Sequence, residues 1–508
     1  MEQQELVMGV DQGTQSTRVY LFDRNLQPVG MHQMPVTQYY PHPGWCEHDP
    51  LELWSTVQEC MTKALEEAVA KLGNVTVKSV GITNQRETTI VWHKHTGQPL
   101  CNGIVWMDIR TRDICSRMEE ELGGKDFFRP VTGLPISTYF SGFKFKWMYE
   151  NLDDVRTAVD SDVACFGTVD SWLIYQMTGG TANNIHITDV TNASRTMLMD
   201  LATCQWHEPF LELFNMPASA LPRIVSNSEV YGTVAAGPLQ GVPVSGCLGD
   251  QMAALLGQRC VEGEAKNTYG TGCFMLLNTG ATIIPSDHGL LTTLAYKLGP
   301  EASCNYALEG AVAVAGMGIS WMRDNMCMVE SPQELESLAK SVDDTGGVYF
   351  VPAFSGLLAP HWQDNARGVL LGLTGYTTRA HVSRALLEAV CFQTREVLDA
   401  MRKDARLGGL KVLRVDGGAS RNDLLMQLQA DILQVRVLRP NFPETTCLGA
   451  ALAAGLSVSF WSEEQVFAGH AYNNHEFLPK ASEEEAEKRY AHWHKAVQRS
   501  LDLADLAE

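Results

Sequence analysis

The sequence predicts an α/β protein of two domains with a cleft between them. Three observations carry this. The chain has 508 residues, more than one hydrophobic core usually holds. Short apolar runs alternate with amphipathic helical patterns, the mark of mixed sheets covered by helices. A strand, glycine turn, strand theme at the start, LVMGVDQGTQSTRVYLFD, returns mid-chain as EAKNTYGTGCFMLLNTG. We place the boundary near residues 252–260, giving domains 1–256 and 257–508.

In the first half, ELVMGVD and RVYLFD read as buried strands joined by a tight turn. From Pro50 to Leu72, apolar residues recur at helical spacing, and Asp49 is placed to cap that helix. VKSVGIT and TTIVWH are further strands. VPVSGCLGD is a strand ending in Gly and Asp, followed by a small-residue helix, QMAALLGQ. In the second half, YALEGAVAVAGMGISWMRDNM reads as one helix with small residues on a face. GGVYFVPAF is a strand and RAHVSRALLEAVCFQTREVLDAM a long helix. KVLRVDGGASRN runs from strand to glycine turn, and RVLRPNFPETTCLGAALAAGL is strand, loop and a second small-residue helix. The tail is an amphipathic helix capped by Ser482, with acidic residues in its first turn.

The formal net charge is −20, with no basic stripe, which argues against nucleic acid and anionic membrane as partners. The 13 cysteines include no C-x-x-C pair, so reduced cytosolic thiols are expected rather than a disulfide framework or zinc site. The opening MEQQE is acidic, unlike a secretory leader. No apolar run approaches the roughly 20 residues of a membrane span.

The usual nucleotide signals are missing: there is no Walker A sequence and no G-x-G-x-x-G after a strand. The opening loop offers another solution. Asp11 ends a buried strand, where a carboxylate is costly unless it meets a cation. Gly13 permits a tight turn, Thr14, Gln15, Ser16 and Thr17 add hydrogen-bonding groups, and Arg18 adds a fixed charge. Turn amides with hydroxyls form an anion nest, and Asp11 could hold Mg²⁺ through water. Alone, the stretch reads first as a plain hairpin with a solvated tip, because Gly, Thr and Ser turns are common. KNTYGTGCF repeats its logic, and in RVDGGASRN two glycines follow a strand and would let a flat ring approach the backbone. Three such loops at strand ends, spread over both halves, favour one nucleotide in the cleft.

These three loops resemble the phosphate-1, phosphate-2 and adenosine motifs of the actin, Hsp70 and sugar-kinase superfamily. Two longer stretches, YFSGFKFKWMYEN and GVLLGLTGYTTRAHVSRALLE, resemble the paired signatures of the FGGY carbohydrate kinases. The resemblance runs from Val7 to about Trp461. With PGWCEHDP, GITNQRETT, TDVTNASRT and GDQ, it is to members that phosphorylate glycerol. It implies two ribonuclease-H-like domains around a nucleotide cleft, ATP and Mg²⁺ as cofactors, a cytoplasmic enzyme, and a homodimer or higher homo-oligomer. Closure of the cleft on substrate is expected because water must be kept from the γ-phosphate.

Residue by residue, the resemblance implies that Arg86 and Glu87 hydrogen-bond glycerol hydroxyls, with Tyr139 as a further donor. Trp106 and Phe274 would wall the carbon backbone. Asp250 would be the general base, with Gln251 beside it. Thr14, Gln15, Ser16 and Arg18 would meet the outer phosphates, and Thr271 the α/β region. Gly316 and Ser320 would lie near ribose and base. Gly418 and Asn422 would line the adenosine pocket, and Asp11 would place Mg²⁺. Without the resemblance, the three aromatics could be core residues. Arg86 and Glu87 could be a solvated pair facing opposite ways on a strand, and Asp250 a helix cap.

The chain departs from the family pattern at Gln15, where many relatives carry Thr, and at Ser320, where bacterial members carry Gln. AAGPLQGVPVSG lacks the Arg of the bacterial loop that binds fructose 1,6-bisphosphate. The rival readings are an FGGY kinase for another polyol or a ketose such as xylulose, and a non-catalytic ATP-binding regulator on the same fold.

Overall fold

The computed structural model describes residues 3–363, 365–406, 409–467 and 474–507. Its two main sheets repeat one plan. The first has six strands in the order Ser228–Thr233, Pro243–Gly249, Val75–Asn84, Gln4–Gln12, Ser16–Phe22, Pro28–Pro35. Gln4–Gln12 pairs antiparallel with Ser16–Phe22 and parallel with Val75–Asn84, which in turn lies parallel to Pro243–Gly249. The second has seven strands, in the order Leu291–Tyr296, Asn305–Val312, Cys273–Gly280, Ala265–Tyr269, Val412–Asp416, Arg436–Pro440, Asn474–Phe477. Here Ala265–Tyr269 pairs antiparallel with Cys273–Gly280 and parallel with Val412–Asp416, itself parallel to Arg436–Pro440. In each sheet a hairpin is extended by two parallel strands, and the loops that leave their carboxyl ends carry the polar motifs. Ligand sites of open α/β sheets belong at such ends.

The helix Pro50–Leu72 forms over the predicted span, and the Asp49 carboxylate accepts from the Leu51 amide. Ser482 likewise caps Glu483–Gln498 by accepting from Glu485. The small-residue helix Thr445–Ser457 returns from the second half to lie on the first sheet. Its fit depends on glycines at the crossing. A Cβ on Gly9 would stand 2.3 Å from the Cys447 carbonyl oxygen, and one on Gly81 2.0 Å from that of Ala450. The same helix crosses Asp250–Gly257, where a Cβ on Gly257 would meet the Thr445 carbonyl oxygen at 1.9 Å. These two helices therefore pack at backbone distance, and both begin at the cleft. Apolar residues of both halves share the core around them, including Leu248, Met252, Leu276, Ala307 and Leu452.

One expectation is corrected. Residues 306–326 are not a single helix: Asn305–Val312 is a strand, and a helix follows only over Gly316–Asp324. The strand is paired on both sides, with Cys273–Gly280 and Leu291–Tyr296. A strand buried on both faces reads as a continuous apolar run, which periodicity does not separate from a buried helix.

All thirteen cysteines are free. Among the described residues, no helix is long and apolar enough to cross a membrane.

Candidate active site

A cavity of about 240 Å³ lies where the strand ends of the two halves meet. It brings together thirteen of the residues singled out in the sequence: Asp11, Thr14, Gln15, Ser16 and Arg18 from the opening loop, then Arg86, Glu87, Trp106, Tyr139, Asp250 and Gln251, and Thr271 and Phe274 across the cleft.

The opening loop is a tight hairpin. Asp11 stands opposite Arg18 and Gln12 opposite Thr17 in the ladder, and the Gly13 amide donates to the Ser16 carbonyl at 3.0 Å. Gln15 is exposed at the tip, its carbonyl held by the Val36 amide. The Arg18 guanidinium pairs with Glu444, the residue preceding the returning helix, and so links the hairpin to it. Burial pushes the Asp11 carboxyl up to about 7; Arg18 opposes this, while Asp250 and Glu444 add like charge.

Arg86 and Glu87 lie beyond the end of the strand Val75–Asn84, not on it. Glu87 takes a left-handed backbone, φ 59°, uncommon for a non-glycine residue. Ser141 and Thr89 hydroxyls, each at 3.1 Å, hold its carbonyl. Because the chain bends here, the two side chains converge: Arg86 Nε is 4.0 Å from Glu87 Oε1 and 3.2 Å from Asp250 Oδ1. The expectation that they face opposite ways is therefore corrected. Neither is a solvated surface charge, since both are buried.

Glu309 sits on the strand misread as helix. It takes Arg86 in a two-point pair, at 2.6 and 2.8 Å. Arg195 donates from Nε to Glu87 at 2.6 Å and approaches Glu309 at 3.4 Å. Burial alone would raise the Glu309 carboxyl, but Arg195 and Arg86 outweigh it and hold the group at about 2. Lys266, fully buried, donates to Gln251 and, at 2.8 Å, to the Thr268 hydroxyl. Burial brings its ammonium down to about 8, against the pull of Asp416, Asp250 and Glu309. Arg195, Glu309 and Lys266 escaped the sequence reading. The signal for Arg195 was its place in TDVTNASRT; a lone Glu in an apolar run and a Lys in a strand offered none.

Asp250 is the first residue of its helix, and Gly249 occupies the cap position, so the cap reading is corrected. Its Oδ1 accepts from the Gln251 amide at 2.7 Å. Burial raises the Asp250 carboxyl above the usual range, and Arg86 and Lys266 restrain the shift. The preceding amide, Gly249, donates to Thr191 Oγ1 at 2.9 Å, and Thr191 is itself held by the buried Asp189. The carboxylate is thus fixed from both sides and partly open to the cavity.

Trp106, Tyr139 and Phe274 are partly exposed in the cavity and so are not core aromatics. Trp106 meets Tyr139 edge-on at 5.6 Å and Phe274 at 6.4 Å between ring centres. Its indole N–H donates to Thr14 at 2.9 Å, which ties the aromatic wall to the hairpin. Phe274 comes from the second sheet and closes the wall from the other half.

The remaining predicted residues lie outside this cavity. The Gly316 amide donates to the Gly270 carbonyl at 3.0 Å, and a Cβ on Gly316 would stand 2.6 Å from that oxygen. Gly417 packs as closely on Tyr269, at 2.5 Å, while Gly418 is exposed with open space at its Cβ position. Asn422 caps Asp423–Leu433 by accepting from Leu425. Three glycine loops therefore converge beside Thr271. Ser320 lines a different cavity with Trp321, Phe350 and Phe354. Residues 235–239, from the stretch without Arg, line a third cavity, away from the cleft.

The chain is 54% identical over 511 residues to a glycerol kinase of Arabidopsis thaliana, covering 98% of both chains. It is 52% identical to one of Brucella anthropi, covering 98% of this chain and 99% of that one. Among solved structures, the glycerol kinase of Plasmodium falciparum with ADP matches at TM-score 0.90 and 38% identity, covering 98% of this chain and 99% of that one. A xylulose kinase of Lactobacillus acidophilus shares the fold at TM-score 0.83 and 20% identity, covering 97% of this chain and 98% of that one. Models of the N-terminal and C-terminal domains of one family match residues 6–257 and 265–458. With both of its domains accounted for, the chain belongs to the FGGY family of carbohydrate kinases.

Proposed function

We propose that this enzyme transfers the γ-phosphoryl group of ATP to a terminal hydroxyl of glycerol, giving sn-glycerol 3-phosphate, with Asp250 as general base. The observation that carries this is the small cavity in which an aromatic wall, a buried arginine and a restrained aspartate meet a hairpin rich in donors. A triol offers CH₂ faces to Trp106 and Phe274 and hydroxyls to Arg86, Glu87 and Tyr139. The glycerol kinases at 50–54% identity over nearly the whole chain support the same reading.

In this mechanism, Asp250 accepts the hydroxyl proton as the oxygen attacks phosphorus in line. Arg86 keeps that carboxylate oriented and opposes the upward shift that burial imposes on it. Hairpin amides, the Thr14 and Ser16 hydroxyls and Arg18 receive the charge that develops on the phosphoryl oxygens. Gly316, Gly418 and Asn422 would take the nucleoside, with Ser320 at its margin. Asp11 offers a hard oxygen donor beside a second carboxylate, a set that fits Mg²⁺. Bound there, the ion would supply positive charge for the phosphates. The division 1–256 and 257–508, a cytoplasmic location and a homo-oligomer belong to the same proposal.

A coupled ADP-release assay across glycerol, xylulose, ribulose and gluconate tests the substrate. Turnover on a pentulose far above that on glycerol would overturn the choice.

A further inference from the structure

Two cysteines from different halves of the chain touch. Cys204 Sγ lies 3.4 Å from Cys304 Sγ, with 100 residues of sequence between them. A disulfide needs about 2.05 Å between sulfurs, so an approach of little more than one ångström would join them. Cys204 is nearly buried, and Cys304 is partly open to solvent. A hydrogen bond between the two thiols holds the Cys304 thiol below its ordinary range; burial opposes this and Lys297 assists it.

Their positions give the contact a consequence. Cys304 immediately precedes the strand Asn305–Val312, which carries Glu309 into the site. Cys204 closes the turn after Met199–Asp200, a few residues beyond Arg195. Around them, Val190, Leu201, Leu294 and Tyr306 form a small core shared by the two halves, and the Tyr306 hydroxyl donates to the Leu201 carbonyl at 3.1 Å. A bond here would staple the second sheet to the segment that holds Arg195.

We propose that Cys204 and Cys304 form a modification site at which a low-molecular-weight disulfide, such as oxidised glutathione, installs a cross-link between the halves and slows turnover. The Cys304 thiolate attacks one sulfur of the glutathione disulfide and expels a glutathione thiolate. The Cys204 thiol then loses its proton to solvent and attacks Cys304 Sγ, expelling the second glutathione. Two cysteine thiols are oxidised, one disulfide is reduced to two glutathione thiols, and the mixed disulfide is the intermediate. Cys304 is the accessible attacking thiol and Cys204 the resolving one. The cross-link slows turnover because substrate entry and product release require the two sides of the cleft to separate.

The full-length enzyme is incubated with oxidised glutathione, then analysed by intact mass, by peptide mapping without reduction, and by glycerol-dependent ADP release. The expected result is loss of two hydrogens, a peptide joined through Cys204 and Cys304, and a fall in kcat of roughly fivefold or more that a dithiol reverses. Cys204→Ser should stop at a stable glutathione adduct on Cys304, and Cys304→Ser should give neither product. Mapping that finds no Cys204–Cys304 bond overturns the proposal. So does full activity of the quantitatively cross-linked enzyme. Because the activity arm rests on the glycerol reading, mapping separates the two: a cross-link in a protein inactive on glycerol before oxidation faults that reading alone.

Discussion

The two ends of the cleft are built by opposite means. At the aromatic end, buried side chains do the positioning: Arg86, Glu87, Arg195 and Glu309 hold one another, Arg86 orients Asp250, and Lys266 holds the neighbouring Gln251. At the glycine-loop end, backbone does it: Gly316 rests on Gly270, Gly417 on Tyr269, and Gly418 stays open. A small polyol presents hydroxyls that need fixed charges and hydrogen bonds in exact directions. A flat base and a phosphate chain need close backbone approach and turn amides. Each end is therefore sensitive to a different kind of substitution.

The largest expected effect from breaking the first end is at Glu309. Glu309→Ala leaves two guanidinium groups buried without their shared carboxylate, and loss of one partner of a buried pair costs about 3–5 kcal/mol. Chemical denaturation should show that loss, and Glu309→Gln should recover part of it. The glycerol KM should rise in both variants with little change in the ATP KM.

The second end should break differently. Gly316→Ala places a methyl 2.6 Å from the Gly270 oxygen, forcing the loop beside Thr271 to shift at a cost of about 1–3 kcal/mol. The ATP KM should rise while the glycerol KM holds. An equal rise in both would mean that the two ends are one mechanical unit.

Asp11 sharpens the comparison, because it lies between the ends. Its carboxyl is raised from 3.8 to about 7. Between those values the folded protein keeps a proton that the unfolded chain has lost, so stability falls as pH rises through this window, and the loss is complete above it. Asp11→Asn removes that dependence. Without ligands, it should be more stable than the parent at about pH 8, by about 1 kcal/mol or more, and equal to it near pH 4. Thermal melts at the two pH values check this, and a parent more stable than the variant at the higher pH would contradict it.

How far the sequence could be read follows the same division. Local rules sufficed where the signal is local: Asp49 and Ser482 as caps, the hairpin at Gly13, the small-residue helix Thr445–Ser457. They failed at Asn305–Val312, where a strand buried on both faces has no period of two to show. That failure hid Glu309. Arg195 was hidden for a related reason: its partners Glu87 and Glu309 lie far away in sequence, and no spacing announces a pair such as Arg86 with Glu309; a lone lysine in a strand such as Lys266 carries no signal of its own. The site residues that were legible, Asp250 and the loop glycines among them, rested on motifs carried by the family resemblance. From residues alone, the opening hairpin and the aromatics had ordinary structural readings that only the shared cavity removes.

The account stands most directly on Asp250. Its carboxylate is held by Arg86 at 3.2 Å and by the Gln251 amide at 2.7 Å, with its free face toward the cavity. The decisive measurement is the kcat of Asp250→Asn for glycerol, with the ATP dissociation constant of the same protein measured in parallel. The account predicts a fall in kcat of about 10²–10⁴-fold, with ATP binding nearly unchanged. Activity close to that of the parent would contradict it and move the base elsewhere in the cleft.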